Sequence, residues 1–177
     1  VLSFLPAAAR SSIDDYRQLA DELNELGERA RSMDLQLAYH NHCFEFGHLD
    51  GDVPYRILLE ETEPELLTLE LDLFWAATAG YEPADLLETY PDRFSLLHLK
   101  DRAEDWAADD PLRLFENPDA LRTAFGNLAD VGSGITDFPA VLETAEKAKV
   151  EHYLVERDVP EDQAGTIERS IEYLRGL

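Results

Sequence analysis

Asp72, His98 and Glu156 each close a short apolar run, and together they offer two carboxylates and one imidazole. That mixture of oxygen and nitrogen donors suits one hard or borderline divalent ion, Mn, Mg, Co or Zn. A lone Asp after a strand is more often a helix cap, and a lone His more often a satisfied core residue. The weight falls on all three recurring at the same point of successive units. His40 and His42, two apart, offer a fourth ligand (His40) or a proton-transfer group, against the plainer reading of a hydrogen bond to a nearby loop.

Other residues read as substrate contacts with bland alternatives beside them. Glu45, in Phe44-Glu45-Phe46, is a base or binding carboxylate, or a solvated loop residue. Lys100, one of three lysines and two residues past His98, would steady a developing enolate or meet an anionic substrate, or lie on the surface. Trp75, after Phe74, forms an apolar wall on which the face of a sugar stacks, or packs in the core. Asp158 shares the face of Glu156 and would touch substrate. Cys43 has no neighbour that would lower its thiol pKa, so a nucleophilic role carries little weight.

These residues need elements to hold them. Val1–Leu5 reads as a strand stopped by Pro6, and Ile13, Tyr16, Ala20, Leu23, Leu26 and Ala30 trace one face of a helix capped by Ser12. Strands follow at 35–40, 66–73, 94–100 and 152–156, with helices at 83–90, 137–148 and 163–174. Residues 101–136 are poorly patterned, long enough to form a lid that includes Trp106. Strand and helix alternating five times predicts parallel strands covered by helices. Side chains two apart share a strand face, so His40 with His42, Glu70 with Asp72, His98 with Lys100, and Glu156 with Asp158 gather at C-terminal strand ends. That is where a (β/α) barrel keeps its active site. An open doubly wound sheet would more usually carry a Gly-rich turn after its first strand, and none is present.

Composition narrows the class. The 177 residues are 45% apolar, enough for one domain over 1–177. Asp plus Glu number 38 against 15 Lys plus Arg, a formal charge of -23, which argues against gripping nucleic acid. So much like charge spread over a surface is screened at about 1 M salt, where the Debye length is roughly 3 Å, so a salty cytoplasm is expected, with an ordinary acidic cytosolic protein as the alternative. One cysteine excludes an internal disulfide framework, no apolar run approaches membrane length, and no leader pattern opens the chain.

The set Tyr39-His40-Asn41-His42 with Phe44-Glu45-Phe46, Glu70-Leu71-Asp72 with Phe74-Trp75, His98-Leu99-Lys100-Asp101, Asp130-Val131-Gly132-Ser133-Gly134 with Asp137-Phe138, and Val155-Glu156-Arg157-Asp158 resembles the sugar phosphate isomerase/epimerase family of xylose isomerase-like barrels. The resemblance implies a TIM barrel with one divalent ion on a Glu, Asp, His, Glu set. Asp72, His98 and Glu156 match the last three positions, and the His40 region stands where relatives place the first Glu. It implies a small sugar or polyol substrate, with Glu156 removing a proton next to a carbonyl, and isomerisation or epimerisation through an enediolate. Dehydration of an inosose is the alternative reaction, an apurinic-site endonuclease ranks behind both, and a non-catalytic remnant is a further reading. The resemblance also makes Val1–Leu5 strand four of eight, so the chain would be the C-terminal part of a barrel, completed by a missing N-terminal half or by a homo-oligomer.

Overall fold

In the computed structural model, which describes residues 1–177, four parallel strands form the central sheet in the order β1 (Leu37–His40), β2 (Leu67–Asp72), β3 (Phe94–Leu99) and β6 (His152–Val155). Two short strands, β4 (Asp101–Arg102) and β5 (Leu128–Ala129), pair antiparallel beside them. The helices are α1 (Ile13–Arg31), α2 (Pro54–Glu60), α3 (Leu73–Thr78), α4 (Pro83–Thr89), α5 (Pro118–Gly126), α6 (Phe138–Lys147) and α7 (Gln163–Arg175). No helix is long and apolar enough to cross a membrane.

The anticipated α1 forms because its ends and one face agree. The Ser12 side chain accepts from the Asp15 amide while the Asp15 carboxylate accepts from the Ser12 amide, a reciprocal cap with acidic charge at the positive end of the helix dipole. Ile13, Tyr16, Ala20, Leu23 and Gly27 are the buried stripe. Gly27 is required there: a Cβ would lie 2.6 Å from the Leu66 carbonyl oxygen, so only glycine lets α1 approach the start of β2.

The two faces of the sheet differ. Tyr39, Leu67, Leu69, Leu71, Leu97 and Leu99 point toward the helices and are fully buried with Tyr16, Leu23, Leu58 and Phe138, each such side chain contributing about 1.5–3 kcal/mol. The opposite face carries His40, Glu70, Asp72 and His98 near the C-terminal ends. One irregularity keeps them together. Leu69 pairs with Phe94 but Glu70 pairs with Leu96, so Ser95 is an extra residue that shifts the register by one. Without it Asp72 would sit opposite Leu97, and His98 would turn toward the helices.

Three expectations change. Val1–Leu5 is not a strand: only Leu2 pairs, donating to the Ala38 carbonyl at 2.8 Å and accepting from the His40 amide at 3.0 Å. Nothing flanks its far side, Val1 and Phe4 remain exposed, and Pro6 turns the chain into a 3-10 turn at Ala7–Ala9. The run at 66–73 ends one residue early, because α3 starts directly at Leu73 with Asp72 as its cap, Oδ1 accepting from the Trp75 amide at 3.0 Å. Residues 101–136 are ordered into β4, a 3-10 helix at Pro111–Glu116, α5 and β5, around a second apolar cluster of Cys43, Phe74, Trp75, Leu114, Ala124 and Leu128. The following loop closes on Asp101, whose buried carboxylate accepts from the amides of Arg102, Gly132, Gly134 and Thr136 at 2.8 to 3.2 Å.

Candidate active site

Strand ends bring most of the anticipated residues to one place. His40 ends β1, Asp72 ends β2, His98 and Lys100 lie at the end of β3, and Glu156 and Asp158 follow β6. Asp72 Oδ2 is 3.8 Å from His40 Nε2, 3.8 Å from His98 Nδ1 and 3.1 Å from Lys100 Nζ. Glu156 Oε2 is 3.4 Å from His98 Nδ1 and 2.8 Å from Lys100 Nζ, and Asp158 Oδ2 is 3.0 Å from the same ammonium. Asp72 and Lys100 are buried, whereas the Glu156 side chain is 39% exposed and therefore the carboxylate most open to a substrate.

Glu70, noted in the sequence only as sharing the face of Asp72, belongs to the cluster. Its Oε2 is 3.2 Å from His40 Nδ1 and its Oε1 is 3.7 Å from His98 Nε2. The signal that could have found it was there: two residues before Asp72 on one strand means the same face.

The electrostatics favour a cation. Three carboxylates, Asp72, Glu156 and Asp158, surround one ammonium, and a fourth, Glu70, lies against the two imidazoles. Burial would raise the Asp72 pKa, but the charges of Lys100, His40 and His98 outweigh it and hold the carboxyl below its ordinary value. Burial would likewise lower His40, and its hydrogen bond to Glu70 with the nearby Asp72 charge holds it above. Lys100 is held well above its usual value: burial opposes this, and Asp72, Glu156 and Asp158 win. Of the six buried side-chain atoms that make no hydrogen bond, two lie in this cluster, Asp72 Oδ2 and His98 Nδ1, and a third, His42 Nδ1, lies beside it; the first two have only ion-pair contacts, to Lys100 and to Glu156. Asp72, His98 and Glu156 place their ligand atoms within 4.8 Å of one another, as do His40, Glu70 and His98. Buried ligand atoms that make no hydrogen bond, among opposed carboxylates and imidazoles, fit a divalent ion, which would share Asp72 with the Lys100 ammonium.

The remaining residues lie around this cluster. His42 stacks on Phe44 with centroids 5.5 Å apart and meets Phe4 and Phe115 edge-on; burial and His40 lower its pKa to about 3, so it is a neutral imidazole beside the site. Trp75 is only 2% exposed, filling space behind His42 and Lys100 rather than offering an open platform for a sugar. Glu45 is not brought into the cluster: it is wholly buried behind β1, accepting from Tyr39 Oη at 2.6 Å and the His42 amide at 2.8 Å. Cys43 is core, its thiol pushed up by burial. The segment anticipated as a lid lies beside the site, with Phe115 against His42 and Trp75, and Arg10 donating to the Leu112 carbonyl at 2.9 Å.

Glu45 gives the fold a pH dependence of its own. Burial raises its pKa to about 7, against the lowering effect of its hydrogen bonds from Tyr39 and His42. A carboxyl whose folded pKa lies above its unfolded value is favoured in its protonated form. Its contribution is therefore complete below the unfolded pKa and declines as pH rises through the folded one. Between pH 4.5 and 7 the wild type is expected to lose about 3 kcal/mol from this group, and Glu45→Gln to flatten that part of the profile in urea denaturation. An unchanged slope in the variant would remove Glu45 as its source.

Residues 1–177 match the family described as xylose isomerase-like TIM barrel. The chain belongs to that family. Among relatives, the inosose dehydratase of Lacticaseibacillus casei is 25% identical over 146 residues, 80% of this chain and 46% of that protein. The inosose dehydratase of Clostridium tetani is 26% identical over 160 residues, 90% and 52% respectively. A solved sugar phosphate isomerase/epimerase from Parabacteroides distasonis superposes with a TM-score of 0.73 at 25% identity, covering 93% of this chain and 53% of that one. The chain thus spans about half the length of the relatives it matches. The four-stranded parallel sheet and its covering helices correspond to about half of a xylose isomerase-like barrel, with polar residues at the C-terminal strand ends where such barrels keep their sites.

Proposed function

We propose that this part of a xylose isomerase-like barrel carries a divalent-metal-dependent site that moves a proton at the carbon next to the carbonyl of a small sugar, sugar phosphate or polyol, as an isomerase or epimerase. The observation that carries it is a pair of buried atoms that make no hydrogen bond, Asp72 Oδ2 and His98 Nδ1, both converging with Glu156 and His40 on one point, where the Lys100 ammonium now supplies the positive charge to Asp72. His40, Asp72, His98 and Glu156 would hold the ion. Bound there, the ion would supply Lewis acidity toward a carbonyl and its neighbouring hydroxyl.

The chain's own residues do the rest. Glu156, the most exposed carboxylate, takes the proton from carbon and becomes a carboxylic acid. The Lys100 ammonium offsets negative charge developing on the enediolate oxygen. Returning the proton to the neighbouring carbon isomerises; return from the opposite face, by a second acid, epimerises. His42, neutral and beside His40, offers a hydrogen bond to a substrate hydroxyl, and Asp158 fixes Lys100 while reaching toward the same opening. A second reading is dehydration, in which the enediolate expels a hydroxyl that leaves as water after receiving a proton. The names of the Lacticaseibacillus casei and Clostridium tetani relatives favour it. On either reading, closure of the barrel calls for further strands, from the same polypeptide or from a partner, and the charge of -23 favours working at high salt.

The test is a melt in concentrated KCl with and without Mn. Mn at 100 times its dissociation constant is expected to stabilise by about 2.7 kcal/mol. Asp72→Asn keeps the cap on α3 through Oδ1 and is expected to lose that gain. Deuterium exchange into small ketoses, and loss of water from an inosose followed by absorbance, then separate the two reactions. No metal-dependent shift, together with no metal-dependent exchange or dehydration, would overturn the proposal.

A further inference from the structure

Glu70 is 3% exposed, and β1–β2 pairing sets it directly beside His40. It has no place in the ligand set proposed above, yet it touches two members of it from the same side. Oε2 lies 3.2 Å from His40 Nδ1, and Oε1 lies 3.7 Å from His98 Nε2. The two rings meet edge to face with centroids 4.7 Å apart. Their other nitrogens look the opposite way: His40 Nε2 toward Asp72 Oδ2, and His98 Nδ1 toward Asp72 Oδ2 and Glu156 Oε2.

We propose that Glu70 is a positioning residue that orients both imidazoles at once, accepting the N–H of His40 at Nδ1 in a 3.2 Å hydrogen bond and drawing that of His98 to Nε2 by charge across 3.7 Å, against the pull of Glu156 at Nδ1. An ionised carboxylate only accepts, and a neutral imidazole has one N–H and one lone pair. With both N–H groups turned to Glu70, the lone pairs of His40 Nε2 and His98 Nδ1 point to the space beside Asp72 and Glu156. The two histidines therefore present different ring nitrogens to that space, Nε2 from His40 and Nδ1 from His98. Such carboxylates behind ligating histidines fix the tautomer and typically contribute about 10–100-fold in metal affinity. The strand period explains the placement: the orienting carboxylate sits two residues behind the ligating one on the same face.

This role rests on the metal reading of the site, but its first test does not need metal. Long-range 15N spectra of the metal-free intact protein, recorded where the imidazoles carry one proton, are expected to show His40 protonated at Nδ1 and His98 at Nε2. In Glu70→Gln the amide accepts from one ring while presenting N–H to the other. One histidine is then expected to change tautomer and Mn affinity to fall by about 10–100-fold. The reverse tautomers in the wild type would overturn the proposal. So would unchanged tautomers and affinity in Glu70→Gln, or two Mn ions per chain falling to one in that variant, which would make Glu70 a ligand. The expected tautomers without any Mn binding would instead uphold Glu70 and remove the metal reading.

Discussion

Replacing Lys100 by methionine is expected to cost the metal-free protein about 3–5 kcal/mol, the usual penalty for stranding a buried charge whose partner has been removed. The cost arises mainly at Asp72, which is wholly buried. Glu156 and Asp158 are each about a third exposed, so water screens their share. Methionine keeps a long apolar stem beside Trp75 and deletes only the ammonium. A divalent ion brings back the missing positive charge, so Mn is expected to restore most of the loss and to stabilise the variant more than the wild type in urea titrations. Equal gains from Mn in the two proteins, or an undiminished metal-free stability, would show that Asp72 keeps its charge without Lys100.

Glu156→Gln is expected to slow substrate proton exchange with solvent by about 10²–10⁴, the range that a positioned acid–base group contributes. Only Oε2 takes part in the ion pairs with His98 and Lys100, which leaves the other oxygen for the proton. Glutamine keeps the shape and one oxygen donor, so binding of the ion weakens less than chemistry does. The decisive comparison is made at saturating Mn. Recovery of wild-type exchange there would make Glu156 a ligand alone; a persistent loss assigns it the proton.

The parts of the fold that were legible were those in which local chemistry and tertiary packing agree. α1 announced itself through Ser12, Asp15 and a stripe at helical spacing, and α6 likewise through Asp137 and its buried Phe138, Val141 and Ala145. α3 was hidden because all six of its residues are buried, so no polar face marks it off from the strand before it. Val1–Leu5 looked like a strand by composition, but one flanking ladder and no cover left only Leu2 paired. The register shift at Ser95 leaves no mark in an apolar run, although it decides which way His98 faces. Within the site, Asp72, His98, Lys100 and Glu156 could be placed together because each closes its strand. Glu45 could not be sorted from them, since a carboxylate between two phenylalanines reads alike whether it turns into the core or toward a substrate. Glu70 was visible on the right face, but its task depends on the spacing between two imidazoles, which no sequence pattern encodes.

The loop gathered around Asp101 bears on what the site can bind. Several backbone amides converging on one point make an oxyanion receptor, the kind of cradle in which proteins hold phosphate. Here the guest is built into the chain. A tethered carboxylate competes at an effective concentration on the order of millimolar or above, and it already fills the donors of Arg102, Gly132, Gly134 and Thr136. The receptor is thus occupied from within, and the loop serves as a buttress beneath β3 rather than a seat for a phosphorylated ligand. A substrate bearing such a group would have to be met by side chains elsewhere, since Lys100 is itself shared among three carboxylates.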